Sequence, residues 1–179
     1  MPTEVGLLAN LRELYFFGNS ISGPLPSEIG LASQLREIRL SNTNMQGTLP
    51  EELYTGLNNN LRRLHLNECN FSGKIGSSLG LLTNLVRLNL ANNHYHGTIP
   101  NEIETLTGLK QLLVNGNNLS GTVPVSVCQN FAYLEHDKLA EVSLVADCLP
   151  NTATGVPDIQ CASDGCTSCC DETGVCLAN

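Results

Sequence analysis

The sequence repeats itself with a period of about 24 residues, and this repetition restricts the fold more than any other feature. The segment "LRELYFFGNSISGPLP" aligns in register with "LREIRLSNTNMQGTLP" and with three further copies. The five copies begin at Leu11, Leu35, Leu61, Leu85 and Leu109. Their starts are 24, 26, 24 and 24 residues apart, and a degenerate copy, "LAEVSLVADC", begins at Leu139. A unit of this size predicts a stacked array in which each coil packs only on its neighbours.

Each copy carries the same local pattern. Its "LxxLxL" start alternates apolar and outward residues with period 2, which predicts a short, half-buried strand. The Gly-x-Ile-Pro segment that follows breaks any helix and predicts a turn. One coil has apolar residues on one side only, so stacking is needed to build a continuous core. The second repeat has two extra residues around "YTGLNNN", and we expect them to bulge on the convex side.

These repeats resemble the plant-type leucine-rich repeat family, LxxLxLxxNxLSGxIPxxLGxLxx, over residues 1 to about 148. The resemblance implies an α/β fold: a curved, right-handed solenoid with short parallel strands on its concave face and 3₁₀ or irregular segments on its convex side. We predict leucine-rich repeats over residues 1–127, the first of them partial. A degenerate last repeat or cap would cover residues 128–148, and a cysteine-rich acidic tail residues 149–179.

A column of small polar residues follows the strands. It comprises Asn19, Thr43, Cys69, Asn93, Asn117 and Asp147. An inward amide at this position can donate to one coil and accept from the next, which satisfies backbone groups in the turn. We interpret Cys69 as a buried thiol of this ladder. Tyr95 occupies a leucine position, so its hydroxyl is expected to reach water or a partner.

The first residues align with the middle of a repeat, because "MPTEVGLLANL" matches residues 99–109. We therefore expect a fragment of a longer protein, whose first coil would lack the polar cap that solenoids usually carry. Four apolar residues would then form an exposed edge able to self-associate. They are Leu8, Leu11, Leu14 and Phe16.

Seven of the eight cysteines lie at or after Cys128. Stacking would bring Cys128 and Cys148 onto the terminal coil, where a disulfide would restrict the unfolded chain and stabilise the fold by about 3 kcal/mol. The five others are Cys161, Cys166, Cys169, Cys170 and Cys176. We expect them to be partly paired, with a connectivity that their spacing leaves open. Zinc held by four of these thiolates, or reduced thiols, are the alternatives.

This cysteine-rich ending looks like the C-terminal cap of extracellular leucine-rich repeat proteins from diatom-like algae. Disulfides require an oxidising compartment, so this reading places the protein outside the cell or at its surface. Two glycosylation sequons, at Asn70 and Asn118, fit that location, and both are expected to be exposed.

Charge and hydropathy exclude several classes of partner. The net charge is -8, most of it from the acidic end of the chain, and no basic stripe is evident, so a nucleic-acid partner is not expected. No apolar run approaches the roughly 18 residues of a membrane span, and the start does not resemble a signal peptide.

The sequence contains no catalytic set, phosphate-binding loop or kinase motif, so we predict no enzyme activity, no cofactor and no metal. Function is expected on the outward strand positions, where aromatic and arginine residues are enriched as in binding hot spots. The predicted ligand-binding residues are Tyr15, Phe17, Arg39, Arg63, His65, Arg87 and Asn89. Tyr15 and Phe17 would be apolar anchors, and the arginines would supply charge-assisted hydrogen bonds.

The combined prediction is a non-catalytic recognition module of an extracellular, receptor-like protein. It would bind a protein or peptide, or alternatively a glycan, on its concave face. Three other functions remain open. They are an intracellular scaffold with reduced or zinc-bound cysteines, a secreted inhibitor of cell-wall-degrading enzymes, and an ice-binding surface.

Overall fold

The computed structural model describes residues 1–124 and Val127, together with four short strands further along the chain whose backbone alone is described. Several predicted sites therefore lie outside the described residues. They are Cys128, Cys148, Cys166 and Asp147, and the side chains of Cys161, Cys169, Cys170 and Cys176.

The "LxxLxL" segments form a parallel sheet, as predicted. In the described part of the chain its strands are β1 (Glu13–Tyr15), β3 (Glu37–Arg39), β5 (Arg63–His65), β7 (Arg87–Asn89), β9 (Gln111–Leu113) and β11 (Ser143–Val145). The middle residue of each of the first five strands points into the core, and Ile38 and Leu64 are fully buried there. The two flanking residues of each strand face away from the core, as period 2 requires.

A second parallel sheet runs through the segments that follow. Its described strands are β2 (Ser22–Gly23), β4 (Asn44–Gly47), β6 (Asn70–Lys74), β8 (His94–Thr98), β10 (Asn118–Val123) and β12 (Ile159–Cys161). The sequence predicted a turn here, because each segment contains a glycine that is followed three residues later by proline, or by Gly76 in the third coil. That glycine has a positive φ, 88° at Gly47 and 92° at Gly73, so it bends the strand while the ladder continues. β12 shows that the acidic tail adds a strand to this sheet.

The remaining side of each coil is 3₁₀-helical, as predicted. The 3₁₀ segments are η1 (Thr3–Leu7), η2 (Ser27–Leu31), η3 (Ser77–Leu81) and η4 (Asn101–Thr105). The second repeat differs: where the other coils have five-residue 3₁₀ segments, it has a seven-residue helix, α1 (Glu51–Leu57), in the repeat that carries two extra residues. A further antiparallel pair, β13 (Cys169–Cys170) and β14 (Cys176–Leu177), lies in the tail.

Glycines allow the 3₁₀ segments and α1 to stack closely. A Cβ placed on Gly30 would lie 2.3 Å from the carbonyl oxygen of Glu52, and one on Gly56 would lie 2.1 Å from the carbonyl oxygen of Gly30. No real Cβ is accommodated at such distances, so these positions require glycine for close packing between coils.

The asparagine ladder bridges coils, but in one direction. Asn93 Nδ2 donates to the Leu66 carbonyl at 2.8 Å, and its Oδ1 accepts from the Phe71 amide at 3.0 Å. Both partners lie on the preceding coil, whereas we had expected one partner on each side. Asn117 repeats the arrangement one coil later, with Leu90 and Tyr95 as its partners.

The other ladder residues make part of this pattern. The Cys69 thiol is buried and reduced, and it donates to the Leu40 carbonyl at 3.2 Å. The Thr43 hydroxyl donates to the same carbonyl at 2.8 Å and lies 3.2 Å from Cys69 Sγ. Asn19 is exposed, and its amide donates to the carbonyls of its own coil at Phe16 and Phe17. Asn93 and Asn117 accept a hydrogen bond from a backbone amide of the preceding coil. Thr43 and Cys69, which have no side-chain amide, do not make that bond.

Two expectations were wrong. The Tyr95 side chain is only 1% exposed, and its hydroxyl is buried with no hydrogen-bond partner in the described structure. Burial raises its pKa well above the ordinary tyrosine value. Within the predicted apolar edge, Leu14 is buried in the core and Leu11 is half-buried, while Leu8 and Phe16 are exposed.

Candidate functional site

The solvent face of the first sheet carries columns of outward side chains in strict register. Tyr15 pairs with Arg39, Arg39 with His65, and His65 with Asn89. Neighbouring strands lie about 4.8 Å apart, so each side chain contacts its equivalents in the coils on either side. The predicted residues therefore lie on one continuous surface.

A buried glutamate organises the centre of this face. Glu37 is only 4% exposed, and it accepts hydrogen bonds from Arg39 Nε at 2.5 Å and from Arg63 Nη1 at 2.8 Å. Burial alone would raise its pKa, but the hydrogen bonds from Arg63 and Arg39 outweigh burial and lower it. The carboxylate is therefore charged at neutral pH and fixes both guanidinium groups.

Tyr15 completes this cluster from the first coil. The Arg39 guanidinium lies over the Tyr15 ring, 5.3 Å from its centroid, which is cation–π geometry. Partial burial and the carboxylates of Glu13 and Glu37 raise the pKa of Tyr15 to about 12. Its phenol is therefore protonated at neutral pH and can donate a hydrogen bond.

This arrangement corrects one expectation about the arginines. We expected Arg39 and Arg63 to be available to a ligand, but each already shares the Glu37 carboxylate. The terminal nitrogens of Arg39 remain without a hydrogen-bond partner among the described residues, as do Nε and Nη2 of Arg63. Arg63 is similarly committed through one nitrogen, while Arg87 lies in the next coil of the same column.

A hollow of about 270 Å³ opens beside the cluster, on the carboxyl side of β1, β3 and β5. It is lined by Phe17, Gly18, Arg39, Ser41, Asn42, His65, Asn67 and Glu68. Phe17 is 56% exposed and provides an apolar wall, whereas most of the other lining groups are polar or charged. The hollow can therefore hold one apolar side chain and hydrogen-bond the backbone that carries it.

Asn67 links the polar groups of the hollow. Its Oδ1 accepts from Ser41 Oγ at 2.7 Å and from Asn89 Nδ2 at 3.0 Å, and its Nδ2 donates to the Glu68 carboxylate at 3.1 Å. These bonds orient the lining before any ligand arrives. Asn89, a predicted ligand-binding residue, lies outside this lining, and its amide contacts it through Asn67.

His65 is the one lining group with a buried nitrogen that lacks a partner among the described residues, namely Nε2. Burial lowers its pKa, and the positive charges of Arg39, Arg87 and Arg63 lower it further, against the opposing effect of Glu37. The imidazole is therefore neutral at physiological pH, and its buried Nε2 could bond only a ligand group that penetrates to it.

Glu68 has an unusual backbone conformation, with φ at +56°. The equivalent residues of the other coils are Gly18, Asn42, Asn92 and Gly116, types that tolerate the left-handed region well. A glutamate there costs stability, and such strain concentrates at functional sites. Sequence reasoning missed Ser41, Asn67 and Glu68 as site residues, although the break in the glycine and asparagine column at Glu68 was visible.

The rest of the described structure adds little chemistry. The sequon asparagines Asn70 and Asn118 are both exposed, and they begin strands of the second sheet. The described residues contain no group of three or more His, Cys, Asp or Glu placed to hold a metal ion. No helix among them is long and apolar enough to cross a membrane.

Comparison with known families agrees with the coil geometry. The Leucine Rich Repeat family model matches residues 10–31, 60–82 and 84–106. Each matched segment falls on one coil of the described structure. No curated protein matches the chain significantly in sequence.

Solved structures with the same leucine-rich repeat fold include plant receptor ectodomains. The ectodomain of the membrane receptor kinase GASSHO1/SCHENGEN3 from Arabidopsis thaliana, in complex with CASPARIAN STRIP INTEGRITY FACTOR 2, is 33% identical over 73% of this chain and 15% of its own, with a TM-score of 0.68. The Arabidopsis receptor kinase HAESA, in complex with the peptide hormone IDA and the co-receptor SERK1, is 29% identical over 99% of this chain and 29% of its own, with a TM-score of 0.72.

A shorter relative is also similar. The BIR3–SERK2 complex from Arabidopsis thaliana contains a chain that is 29% identical over 60% of this chain and 57% of its own, with a TM-score of 0.57. This chain thus spans only part of each of these chains, from 15% of the GASSHO1/SCHENGEN3 ectodomain to 57% of the chain in the BIR3–SERK2 complex. The coils described here are similar to repeats of these plant receptor ectodomains.

Proposed function

We propose that the chain is a non-catalytic recognition module of an extracellular, receptor-like leucine-rich repeat protein, and that it binds a protein or peptide at the hollow on the first sheet. The observation that carries this proposal is the hollow itself. It combines the exposed ring of Phe17 with the partnerless nitrogens of Arg39 and His65, and Asn67 holds its polar lining in place.

The chemistry of the hollow fits an extended peptide. One apolar side chain would pack on Phe17, where burial of an aromatic or aliphatic group gains about 1.5–3 kcal/mol. The Arg39 nitrogens and His65 Nε2 would bond carbonyl or acidic groups of the same segment. Because Asn67 and Glu37 already fix this lining, binding loses little conformational entropy.

Two further observations support a receptor-like setting. The similar solved structures include ectodomains of plant membrane receptor kinases, and that of HAESA is in complex with a peptide hormone. The sequons at Asn70 and Asn118 are exposed on strands of the second sheet, so glycans there would leave the first sheet accessible.

Peptide display tests the proposal directly. A random peptide library is panned on the native chain, and the selected peptides are measured against Phe17→Ala and the matched control Phe16→Ala. Both rings are exposed on neighbouring residues, but only Phe17 lines the hollow. We expect Phe17→Ala to weaken binding at least about tenfold and Phe16→Ala to leave it unchanged. Equal effects of the two substitutions would move the site elsewhere.

The extracellular setting is tested by the cysteines. Intact mass of the natively produced chain, alkylated with and without prior reduction, counts the oxidised thiols. We expect six cysteines to resist alkylation until they are reduced, with Cys69 protected only by burial. Freely alkylated cysteines, or one bound zinc per chain, would favour an intracellular scaffold.

A further inference from the structure

Stacking gathers basic residues that are dispersed along the sequence. A basic residue immediately precedes four of the first-sheet strands: Arg12 precedes β1, Arg36 precedes β3, Arg62 precedes β5 and Lys110 precedes β9. All four side chains are exposed, and we call this row the basic stripe. The sequence suggested that no such stripe exists, because its members are 24 or more residues apart in the chain.

Backbone hydrogen bonds set the spacing of the basic stripe. The Arg36 amide donates to the Arg12 carbonyl at 2.7 Å, and the Arg62 amide donates to the Arg36 carbonyl at 2.8 Å. The ladder continues through Val86 to Lys110 with bonds of 2.8 Å. Successive members therefore sit one coil apart, about 4.8 Å, with one gap at Val86.

The charges of the basic stripe are not neutralised within the described structure. The ion pairs found there involve Glu37 with Arg39 and Arg63, and none involves a member of the stripe. Glu13 lies beside Arg12 and offsets part of its charge. Glu37 likewise follows Arg36, but its carboxylate is already bonded to Arg39 and Arg63. Arg36 and Arg62 are therefore two neighbouring members of the stripe whose charges no ion pair among the described residues offsets.

A row of uncharged amides runs beside the basic stripe on its other side. It comprises Asn10, Gln34, Asn60 and Asn84, which lie two residues before Arg12, Arg36, Arg62 and Val86; the same position before Lys110 is Gly108. Asn60 and Asn84 donate to carbonyls of the preceding coil at Ser33 and Asn59, while the Asn10 and Gln34 side chains make no hydrogen bond within the described part. Exposed amides of this kind suit hydroxyl groups.

We propose that the basic stripe and its amide row bind a linear acidic polysaccharide of the polyuronate type. Such a polymer carries one carboxylate per sugar ring, so its charges repeat on the scale of one coil, and its hydroxyls face the amide row. Duplex nucleic acid carries one charge per 1.7 Å, a far denser array than the stripe provides. This site is separate from the hollow and does not depend on the function proposed for it.

The test uses polygalacturonate as the probe, with neutral dextran, oligo-dT and poly-glutamate for comparison, at low and at physiological ionic strength. The native chain should bind polygalacturonate at low salt and lose affinity as salt rises, because exposed charges are screened. It should not bind dextran, and it should bind oligo-dT and poly-glutamate more weakly than polygalacturonate.

Charge-matched variants locate the site. Arg36→Gln should weaken binding about threefold and Arg36→Gln/Arg62→Gln about tenfold, in line with exposed ion pairs. Lys74→Gln, which removes an equal charge from a strand of the second sheet, should change affinity less than twofold. Thermal melting of each variant checks that the fold is intact, and Phe17→Ala should not alter polygalacturonate binding.

Four outcomes would overturn the proposal. The first is that the native chain shows no salt-sensitive binding of polygalacturonate, and the second is that it retains dextran equally well. The third is that oligo-dT or poly-glutamate binds as tightly as polygalacturonate. The fourth is that Lys74→Gln loses as much affinity for polygalacturonate as Arg36→Gln does. Loss of peptide binding in Phe17→Ala with polygalacturonate binding unchanged would separate this site from the hollow.

Discussion

Arg63 Nη1 donates to Glu37 Oε2 at 2.8 Å across two neighbouring strands. Glu37 is buried, while the side chains of Arg63 and Arg39 remain 46% and 42% exposed. We expect Glu37→Gln to lower the free energy of unfolding by about 1–2 kcal/mol, because both guanidinium groups lose a charged acceptor but stay accessible to water. Urea unfolding at neutral pH measures the change. Glu13→Gln, exposed in the same column, is the control and should be near neutral.

The same pair predicts an acid-sensitive stability. The pKa of Glu37 is lowered in the folded chain, so the unfolded chain takes up a proton first as pH falls. The stabilisation is therefore present at neutral pH and is lost as pH falls through the folded pKa. Unfolding measured between pH 7 and pH 3 should show a smaller loss in Glu37→Gln than in the native chain. Identical pH profiles would contradict the ion-pair account.

His65 predicts a second pH dependence in a different range. Its pKa is lowered in the folded state by burial and by nearby arginines, so the unfolded chain binds the proton first below about pH 6.5. Stability should fall between pH 7 and the folded pKa. His65→Asn, which copies Asn89 of the next coil, should remove that slope. His96→Asn, at an exposed position, should retain it.

Close stacking predicts a strict requirement at Gly30. A Cβ there would lie 2.3 Å from the Glu52 carbonyl oxygen, so Gly30→Ala should destabilise the chain by about 1–3 kcal/mol, as over-packing does elsewhere. Gly76→Ala is the matched control. Gly76 has no atom within 4 Å of the added carbon and a φ of -72°, so alanine should be neutral or stabilising by about 0.4–1 kcal/mol. Equal melting temperatures of the two variants would refute the packing argument.

Tyr95 offers a substitution that should stabilise the chain. Its hydroxyl is buried without a partner among the described residues, and Phe71 occupies the equivalent position of the preceding coil with no exposure. Tyr95→Phe should therefore raise the free energy of unfolding by about 1 kcal/mol, since it removes a desolvated polar group and little volume. A destabilised variant would show that the hydroxyl bonds an internal water.

The first sheet and the core could be predicted from sequence because apolar side chains report burial directly. Leu64 and Ile38 follow period 2, and that period fixes both the strand and its face. The second sheet could not be predicted in this way. Its strands contain glycines such as Gly47 and Gly73, which usually mark turns, and the pairing that keeps them extended comes from the adjacent coils and not from their own sequence.

The candidate site was predicted only in part for a related reason. The column positions of Phe17, Arg39 and His65 follow from the repeat, so their common surface could be predicted. That Glu37 is buried and already holds Arg39 depends on rotamers and on neighbouring coils, which an outward strand position does not reveal. Charged side chains at outward strand positions can thus form ion pairs within the sheet, which leaves fewer of their groups to bind a ligand.

A crystal structure of the chain with a peptide selected by display tests the central claim most directly. We expect the peptide to lie across the first sheet, with one apolar side chain against Phe17 and a polar group within hydrogen-bond distance of Arg39 or His65 Nε2. A peptide bound to the second sheet or to the 3₁₀ segments, with the hollow empty, would contradict the account.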